Sequence, residues 1–315
     1  MKEKLPPFFA ASAEVERARQ LDLALVALES TVITHGLPRP RNRSLAEQIE
    51  AAVRNEGAVP ATTAVMDGKI LLGLSSFQLE ALAMAIDPVK VSRRDFSRAL
   101  VSRATGGTTV AGTMFVAARA GITVFATGGI GGVHRVSGTG QGRFDVSTDL
   151  QALADTPMIV VCAGAKSILD LPATLEYLET MGVPVIGWQT DTFPAFFSTS
   201  SGLPVTARVD TYEELLKLAH THWSLGFRSA LLVCQPLPKT EEVSREQIQA
   251  AEEQADQEAK QKGISGQAVT PFLLQRVNEL TGGQSLKANE TLLINNARLA
   301  AQISKGFVQG VGRLL

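Results

Sequence analysis

Short runs of continuous apolar residues recur along the chain, and the stretches between them carry apolar residues at helical spacing. Because the runs are continuous rather than alternating, we expect each to be a strand that is covered on both faces. Strands that alternate with helices are typical of an α/β fold with a largely parallel sheet. The runs comprise residues 23–28, 59–66, 123–126, 158–163, 183–188 and 229–234.

Capping signals predict helices between these runs. Ser44 and Glu47 have the spacing of a capping box, and Gly57 lies where that helix would end. Residues 247–262 are rich in Glu, Gln and Lys with few apolar positions, which predicts a solvated helix that carries no chemistry.

The last part of the chain has only helical patterns. Thr270-Pro271 opens a helix, Gly282-Gly283 interrupts it, and residues 289–305 are helical again. No linker rich in Pro, Gly or Ser divides the sequence. We therefore predict a single domain over residues 1–315, with 1–22 as an N-terminal extension and 240–315 as a helical C-terminal part.

Composition narrows the class of protein. Thirty Lys and Arg residues against 31 Asp and Glu residues give a formal net charge of -1, so no overall field favours nucleic acid or an anionic membrane. No stretch approaches the roughly 18 apolar residues of a membrane-spanning helix. The two cysteines, Cys162 and Cys234, lie in apolar runs as buried thiols would, which indicates a reducing, cytoplasmic location.

Candidate chemistry follows three of the predicted strands. Ligands of open α/β sheets bind beyond the carboxyl ends of the strands, so residues directly after the apolar runs are the first candidates. Glu29, the segment from Thr127 to Gly132, and Lys166 occupy such positions. They offer an acid, a glycine-rich backbone and an amine.

Each of the three has a functional and an ordinary interpretation. The glycines after Thr127 could turn N–H groups toward an anion, with His134 and Arg135 within reach of a phosphate, or could form a tight turn. Their spacing matches no dinucleotide or Walker motif. Lys166 among apolar walls could be a nucleophilic amine or a surface lysine, and Glu29 could be a general acid or hydrogen-bond a turn.

Two further segments could bind ligands. Three cations in residues 90–94, among them Lys90, could hold a phosphate or pair with Asp95. Ser147 is placed to cap a helix. Asp145 and Asp149, if both lie near that helix start, could ligate a hard divalent ion or stabilise the helix dipole.

Several long stretches together resemble one known family. They are residues 27–36, 90–95, 127–135, 161–170, 270–274 and 280–289. In this order they closely resemble pseudouridine-5′-phosphate glycosidase, the family also called indigoidine synthase A-like, over about residues 23–305. The resemblance implies a three-layer α/β/α sandwich around a mixed, largely parallel sheet, and a homotrimer.

The resemblance also implies a reaction. It is the reversible cleavage of the C–C glycosidic bond of pseudouridine 5′-phosphate to uracil and ribose 5-phosphate, with a divalent ion, usually manganese. By position, Lys166 would form an imine with ribose C1′, Glu29 would donate the proton and Asp145 would bind the metal. The matching substrate contacts are Lys90, Val110, Ser147, Thr148 and Asp149, and the matching residues that line the site are Thr127, His134 and Asn289.

This residue set suits the chemistry. A C–C glycosidic bond offers no heteroatom to protonate as a leaving group, so two carboxylates would not suffice, whereas a lysine imine supplies an electron sink. An aldolase acting on another sugar phosphate, or a non-catalytic sugar-phosphate-binding regulator, stays open as an alternative. Residues 136–143 are longer than the family pattern and glycine-rich, which predicts a flap and leaves open whether Arg135 or Arg143 contacts substrate.

Overall fold

Eleven strands form the main sheet, and the six predicted runs all lie within it. The computed structural model describes residues 4–135, 145–264 and 269–310, apart from the side chains of residues 270 and 271. The strands are β1 (Phe9–Ala11), β2 (Leu25–Leu28), β3 (Val59–Met66), β4 (Lys69–Leu72), β5 (Val89–Val91), β6 (Gly106–Thr108), β7 (Val124–Ala126), β8 (Val133–His134), β9 (Ile159–Cys162), β10 (Leu169–Asp170), β11 (Val185–Trp188), β12 (Ala207–Val209) and β13 (Leu231–Cys234).

The sheet is mixed but largely parallel, as predicted. Its main path runs β1-β4-β3-β2-β7-β9-β13-β11-β12, with β6 and then β5 attached beside β3. The six predicted strands are neighbours in this path, and every pairing among them is parallel. Antiparallel pairing in the main sheet is confined to β3 with β4 and with β6.

Helices cover both faces of the sheet and complete the three-layer sandwich. Among the described helices, none is both long and apolar enough to cross a lipid bilayer. The α-helices are α1 (Ala13–Gln20), α2 (Arg41–Asn55), α3 (Ser76–Ala83), α4 (Phe96–Val101), α5 (Val110–Arg119), α6 (Thr148–Asp155), α7 (Leu171–Thr180), α8 (Tyr212–Ser224), α9 (Arg245–Gln261), α10 (Val269–Leu280) and α11 (Gln284–Val308).

Two helix predictions needed correction. The capping box predicted at Ser44 is wrong, because α2 begins at Arg41 with Pro40 at its N-cap. Ser44 lies inside the helix, where its hydroxyl accepts from the Gln48 side chain at 3.2 Å. The helix predicted over residues 247–262 is present as α9, but it is less solvated than expected, because one face packs against the protein and buries Glu252. Gly57 does follow the end of α2, with φ of +80°.

The other predicted boundaries fit more closely. Gly282 and Gly283 separate α10 from α11 and both have positive φ. The last helix begins at Gln284, earlier than predicted. Residues 9–20, expected as part of an extension, form β1 and α1 at the edge of the sheet, where β1 pairs with β4. The thiols of Cys162 and Cys234 are free and buried, with their Sγ atoms 3.9 Å apart on β9 and β13.

A second, two-stranded sheet stands beyond the carboxyl end of β9. Strand β10 pairs with β8 in antiparallel register, which places Leu169 opposite His134. Both strands have only two residues. This pairing nevertheless places the segment that follows Lys166 next to the segment that follows the glycine-rich loop. The contact fixes the position of Lys166 relative to that loop.

Candidate active site

A cavity of about 370 Å³ opens at the carboxyl ends of β2, β7 and β9. It lies where ligands bind in open α/β sheets, at the ends of neighbouring parallel strands. Of the site residues that the family resemblance implies, all line it except Thr127. Those lining it are Glu29, Lys90, Val110, His134, Asp145, Ser147, Thr148, Asp149, Lys166 and Asn289.

Glu29 is held at both of its carboxyl oxygens. It directly follows β2 and is only 9% exposed. The Thr31 hydroxyl donates to Oε2 and the Thr127 hydroxyl donates to Oε1. Thr127 is therefore not on the cavity surface but behind the carboxyl group, where it is 1% exposed. Two donors on one carboxyl group fix its orientation toward the cavity.

A buried cluster of hydroxyl groups supports the strand end that carries Glu29. The Thr108 hydroxyl lies 2.6 Å from that of Thr63 and 2.9 Å from that of Thr113. The Thr108 N–H donates to the Ser30 hydroxyl at 3.0 Å. All four side chains are buried, and buried polar groups that satisfy one another make a site rigid. Sequence reasoning missed this cluster because its members come from separate elements.

Lys166 stands on a turn beyond β9. The turn needs Gly164, because its φ is +87° and a Cβ there would lie 2.3 Å from the carbonyl oxygen of Pro194. The Lys166 N–H donates to the carbonyl of Ile130 at 3.1 Å. Within the part of the chain that the structure describes, Nζ of Lys166 has no hydrogen-bond or ion-pair partner. The backbone of this residue is fixed while its amine stays available.

Lys90 brings a second amine to the same cavity. It lies on the edge strand β5 and is half-buried. Burial lowers the pKa of Lys90, the nearby charge of Lys166 lowers it further, and Asp149 and Glu29 raise it in part. Burial also lowers the pKa of His35, which lines the cavity near Lys90. Two lysines and two carboxyl groups thus share one electrostatic environment.

Two N–H groups of the glycine-rich loop bind other parts of the protein. The Gly131 N–H donates to the Asp149 carboxylate at 2.9 Å, and the Ile130 N–H donates to the Gly164 carbonyl at 3.1 Å. These donors are therefore occupied by the protein itself. A Cβ on Gly131 would meet the Ser147 hydroxyl at 2.3 Å, so glycine is required there for close packing.

The loop is also fixed from the C-terminal helix. The Asn296 side chain, from α11, is 1% exposed and donates to the carbonyl of Thr127 at 2.9 Å. A buried amide that hydrogen-bonds to main chain holds that segment in one conformation. No local pattern of residues indicates this contact, because Asn296 lies far along the chain from the loop.

Asp149 links helix α5 to the glycine-rich loop. Its carboxylate accepts from the Ala111 N–H of α5 and from the Gly131 N–H, each at 2.9 Å, and it is 5% exposed. Ser147 caps α6 as predicted, accepting from the Asp149 N–H at 3.2 Å. Asp145 precedes the helix and is exposed, so the two aspartates do not share a side of the helix.

Few of the described residues in this cavity could bind a metal ion. Among the described residues, no three His, Cys, Asp or Glu side chains come together as a metal-binding group. Both Asp149 oxygens are occupied by N–H donors, which leaves Asp145 as the free carboxylate of this segment. A single carboxylate can bind a hard divalent ion that keeps most of its water ligands. It cannot form a site in which protein groups supply all the ligands.

One wall of the cavity suits a phosphate. Lys90 and the exposed Arg94 both line it, together with Ser147 and Thr148 at the N-terminus of α6. Helix N-termini and cations both favour anions. Arg93 is not part of this wall, because it forms a two-pronged salt bridge with Asp155 at 2.6 and 2.8 Å.

Another wall is apolar and was missed from the sequence. It consists of the side chains of Phe196, Leu274 and Leu293, with the Asn289 amide beside them. Phe196 has φ of +63°, which is uncommon for a residue other than glycine. An apolar surface next to one amide suits a flat heterocycle with polar edges.

Arg135 does not point into this cavity. It was expected within reach of a phosphate, but its guanidinium turns back toward Ser167 and Glu252 and lines a second cavity. Residues 136–143, including Arg143, lie outside the described residues, so the predicted flap is not described here.

Comparison with known proteins gives a consistent result. Residues 14–306 match the family model described as indigoidine synthase A-like protein. The chain is 51% identical over 298 residues to the pseudouridine-5′-phosphate glycosidase of Geobacillus kaustophilus, covering 95% of this chain and 98% of that one. It is 53% identical over 302 residues to that of Paracoccus denitrificans, with 95% and 98% covered.

Solved structures share the fold. The prealnumycin C-glycosynthase AlnA, in complex with ribulose 5-phosphate, superimposes with a TM-score of 0.87 at 39% identity, over 96% of this chain and 98% of that one. An indigoidine synthase A-like protein from Thermotoga maritima gives a TM-score of 0.86 at 35% identity, over 96% and 97%. This chain belongs to the indigoidine synthase A-like family.

Proposed function

We propose that this protein is an enzyme that reversibly cleaves the C–C glycosidic bond of pseudouridine 5′-phosphate, giving uracil and ribose 5-phosphate. The observation that carries the proposal is a cavity whose lining includes a buried carboxyl group, Glu29, and an amine, Lys166, that has no partner among the described residues. Relatives about half identical over nearly the whole chain carry the name of this glycosidase.

The two groups supply the two halves of the chemistry. The Lys166 amine attacks C1′ and the bond from C1′ to the ring oxygen breaks. A proton passes from the attacking nitrogen to the ring oxygen, which leaves a hydroxyl group on the opened sugar and a lone pair on the nitrogen. The nitrogen lone pair then forms an imine with C1′ as the bond to uracil C5 breaks, and Glu29 delivers a proton to that carbon. Water hydrolyses the imine, which releases ribose 5-phosphate and regenerates the amine.

Substrate binding uses the remaining walls. Lys90, Arg94 and the N-terminus of α6 would hold the phosphate at a distance from the reacting bond. The apolar wall around Phe196 would take the uracil ring, whose imide edge can pair with the Asn289 amide. Anchoring both ends of the substrate places C1′ at the amine, and such positioning lowers the barrier substantially.

A divalent ion such as manganese would bind at Asp145, and water and substrate oxygens would complete its coordination shell. When bound, it would neutralise charge near the phosphate. If it contributes, a chelator slows cleavage and added manganese restores it; full turnover of metal-free protein would exclude Asp145 as a working ligand. The trimer and the cytoplasmic location stay predictions, and light scattering of the purified protein tests the first.

The direct test is an activity assay. Purified protein is incubated with pseudouridine 5′-phosphate and manganese, and uracil and ribose 5-phosphate are measured by chromatography. We expect uracil from this substrate and none from uridine 5′-phosphate, whose bond to nitrogen is a different chemical target. Cleavage of neither, with turnover of another sugar phosphate, would favour an aldolase. Binding of ribose 5-phosphate without any turnover would favour a regulatory protein.

A further inference from the structure

Arg135 joins three separate parts of the structure behind the catalytic turn. Its guanidinium donates to the carbonyl of Ser167 at 2.8 Å and to the carbonyl of Leu169 at 3.3 Å. It also forms an ion pair with the Glu252 carboxylate on α9 at 3.0 Å. The first two contacts lie on the turn that carries Lys166, here called the amine turn (residues 166–169).

Glu252 occupies an unusual place for its helix. The surface of α9 is largely Glu, Gln and Lys, yet Glu252 is only 5% exposed. Burial raises the pKa of Glu252, while the nearby Ser167 hydroxyl and the Arg135 charge lower it in part. The next residue, Glu253, is exposed and accepts from the Gln249 side chain at 2.9 Å. A carboxylate is rarely buried unless a partner compensates the lost hydration, and here that partner is Arg135.

Main-chain contacts also support the amine turn, where the Lys166 N–H donates to the Ile130 carbonyl at 3.1 Å. The Lys166 carbonyl accepts from the Leu169 N–H at 3.0 Å, and the turn continues into the two-residue strand β10, which pairs with β8. Arg135 directly follows β8. Its guanidinium therefore ties the turn back to the neighbouring strand, and Glu252 holds that guanidinium from the far side. Without the carboxylate, an arginine whose side chain is 50% exposed would have only neutral carbonyls to retain it.

We propose that Glu252 is a positioning residue that acts through Arg135: it fixes the amine turn, and so sets the direction in which Lys166 reaches the sugar. The proposal rests on the proposed function, because it assigns a role toward the imine-forming amine. Neither residue lines the cavity that holds Lys166. Their effect should thus fall on the rate of imine formation and not on substrate affinity.

The test compares two neighbouring substitutions on α9. Glu252→Gln keeps the shape and removes the charge, and Glu253→Gln does the same at an exposed position as the matched control. We expect Glu252→Gln to lower kcat and the rate of borohydride trapping of ribose 5-phosphate by about tenfold to a hundredfold, since small misplacements of a reacting group have effects of this size. KM should stay near the wild-type value, and Glu253→Gln should match the wild type throughout.

A second variant covers the case in which Glu252→Gln does not fold. Arg135→Lys keeps the positive charge but loses the fork that reaches two carbonyls, so we expect the same loss of trapping rate. The double variant should lose no more than the larger single effect, because both act through one bridge. All rates are measured at a temperature at which circular dichroism shows the variants fully folded.

Two results would overturn the proposal. One is a trapping rate for folded Glu252→Gln equal to that of Glu253→Gln, and the other is a loss confined to KM. Either outcome leaves the proposed function intact provided that the wild type cleaves pseudouridine 5′-phosphate and Lys166→Ala does not. If the wild type does not cleave pseudouridine 5′-phosphate, the proposed function itself fails; if Lys166→Ala still cleaves it, the imine mechanism fails. The failures are therefore distinguishable.

Discussion

The acid and the amine in this cavity are held in opposite ways. Glu29 is fixed at its functional atoms, because both carboxyl oxygens accept from threonine hydroxyls. Lys166 is fixed only through its main chain, and its Nζ makes no contact of this kind within the described residues. A buried cluster of hydroxyl groups in the main sheet supports the acid. The amine is supported by the two-residue strands β8 and β10 and by the ion pair between Arg135 and Glu252.

This difference fits the two chemical roles. A nucleophile must leave any partner to form a covalent bond, so a free amine on a fixed turn is the useful arrangement. A proton donor must stay oriented toward one carbon, so partners on its own oxygens help. Changes on the acid side should therefore affect proton delivery alone, and changes on the amine side should affect imine formation.

The largest effect is expected for Lys166→Ala. Cleavage should fall by at least about 10⁴-fold, because the substitution removes the amine that forms the covalent intermediate. Since Nζ has no partner among the described residues, the melting temperature should stay close to that of the wild type. Chromatographic assay of uracil and circular dichroism melting measure the two results. Substantial cleavage by the folded variant would contradict the imine.

Glu29→Gln should distinguish proton delivery from imine formation. Cleavage should fall by about 10²- to 10³-fold, the usual range for loss of a general acid. The reduced adduct of ribose 5-phosphate on Lys166 should still form with borohydride, because imine formation from the free aldehyde does not need a proton on uracil. Loss of both activities together would show that the acid and the amine do not act independently.

Thr127→Val should give a smaller loss on the acid side. Valine keeps the shape but removes the hydroxyl that donates to Glu29 Oε1, and we expect kcat to fall about tenfold, in line with the loss of one hydrogen bond that orients the acid. Thr127→Ser retains the hydroxyl and serves as the control, with kcat near that of the wild type. Equal rates for the valine and serine variants would argue against a role for this contact.

The smallest effect concerns Lys90 and pH. Because the pKa of Lys90 is lowered, its positive charge is lost at a lower pH than for an ordinary lysine. The KM for the phosphorylated substrate should thus rise severalfold as the pH rises through that pKa. Lys90→Arg keeps its charge and should shift the rise in KM to higher pH. A KM profile that is identical in the two proteins would exclude Lys90 as the phosphate partner.

The sequence was most informative where one element alone determines the structure. The six central strands were predicted because continuous apolar runs identify strands that are covered on both faces. Glu29 and Lys166 were found because they directly follow such runs. The strands β1, β5, β6 and β12 were not predicted; they have three residues each and lie outside the group of central parallel strands.

What was missed depends on contacts between distant segments. Thr127 lies behind Glu29 and not on the cavity surface, Asn296 reaches the glycine-rich loop from α11, and Glu252 is buried on a helix whose composition predicts full solvation. A single sequence contains no local signal for any of these. Tertiary packing decides them, and it also overrides the apparent capping box at Ser44.

The most direct test of the account is to trap the covalent intermediate. The protein is incubated with ribose 5-phosphate and sodium borohydride, digested, and its peptides are mapped by mass spectrometry. We expect one reduced ribose 5-phosphate adduct, located on Lys166 and absent from Lys166→Ala. An adduct on Lys90 instead, or cleavage of pseudouridine 5′-phosphate by a protein that gives no adduct at all, would contradict it.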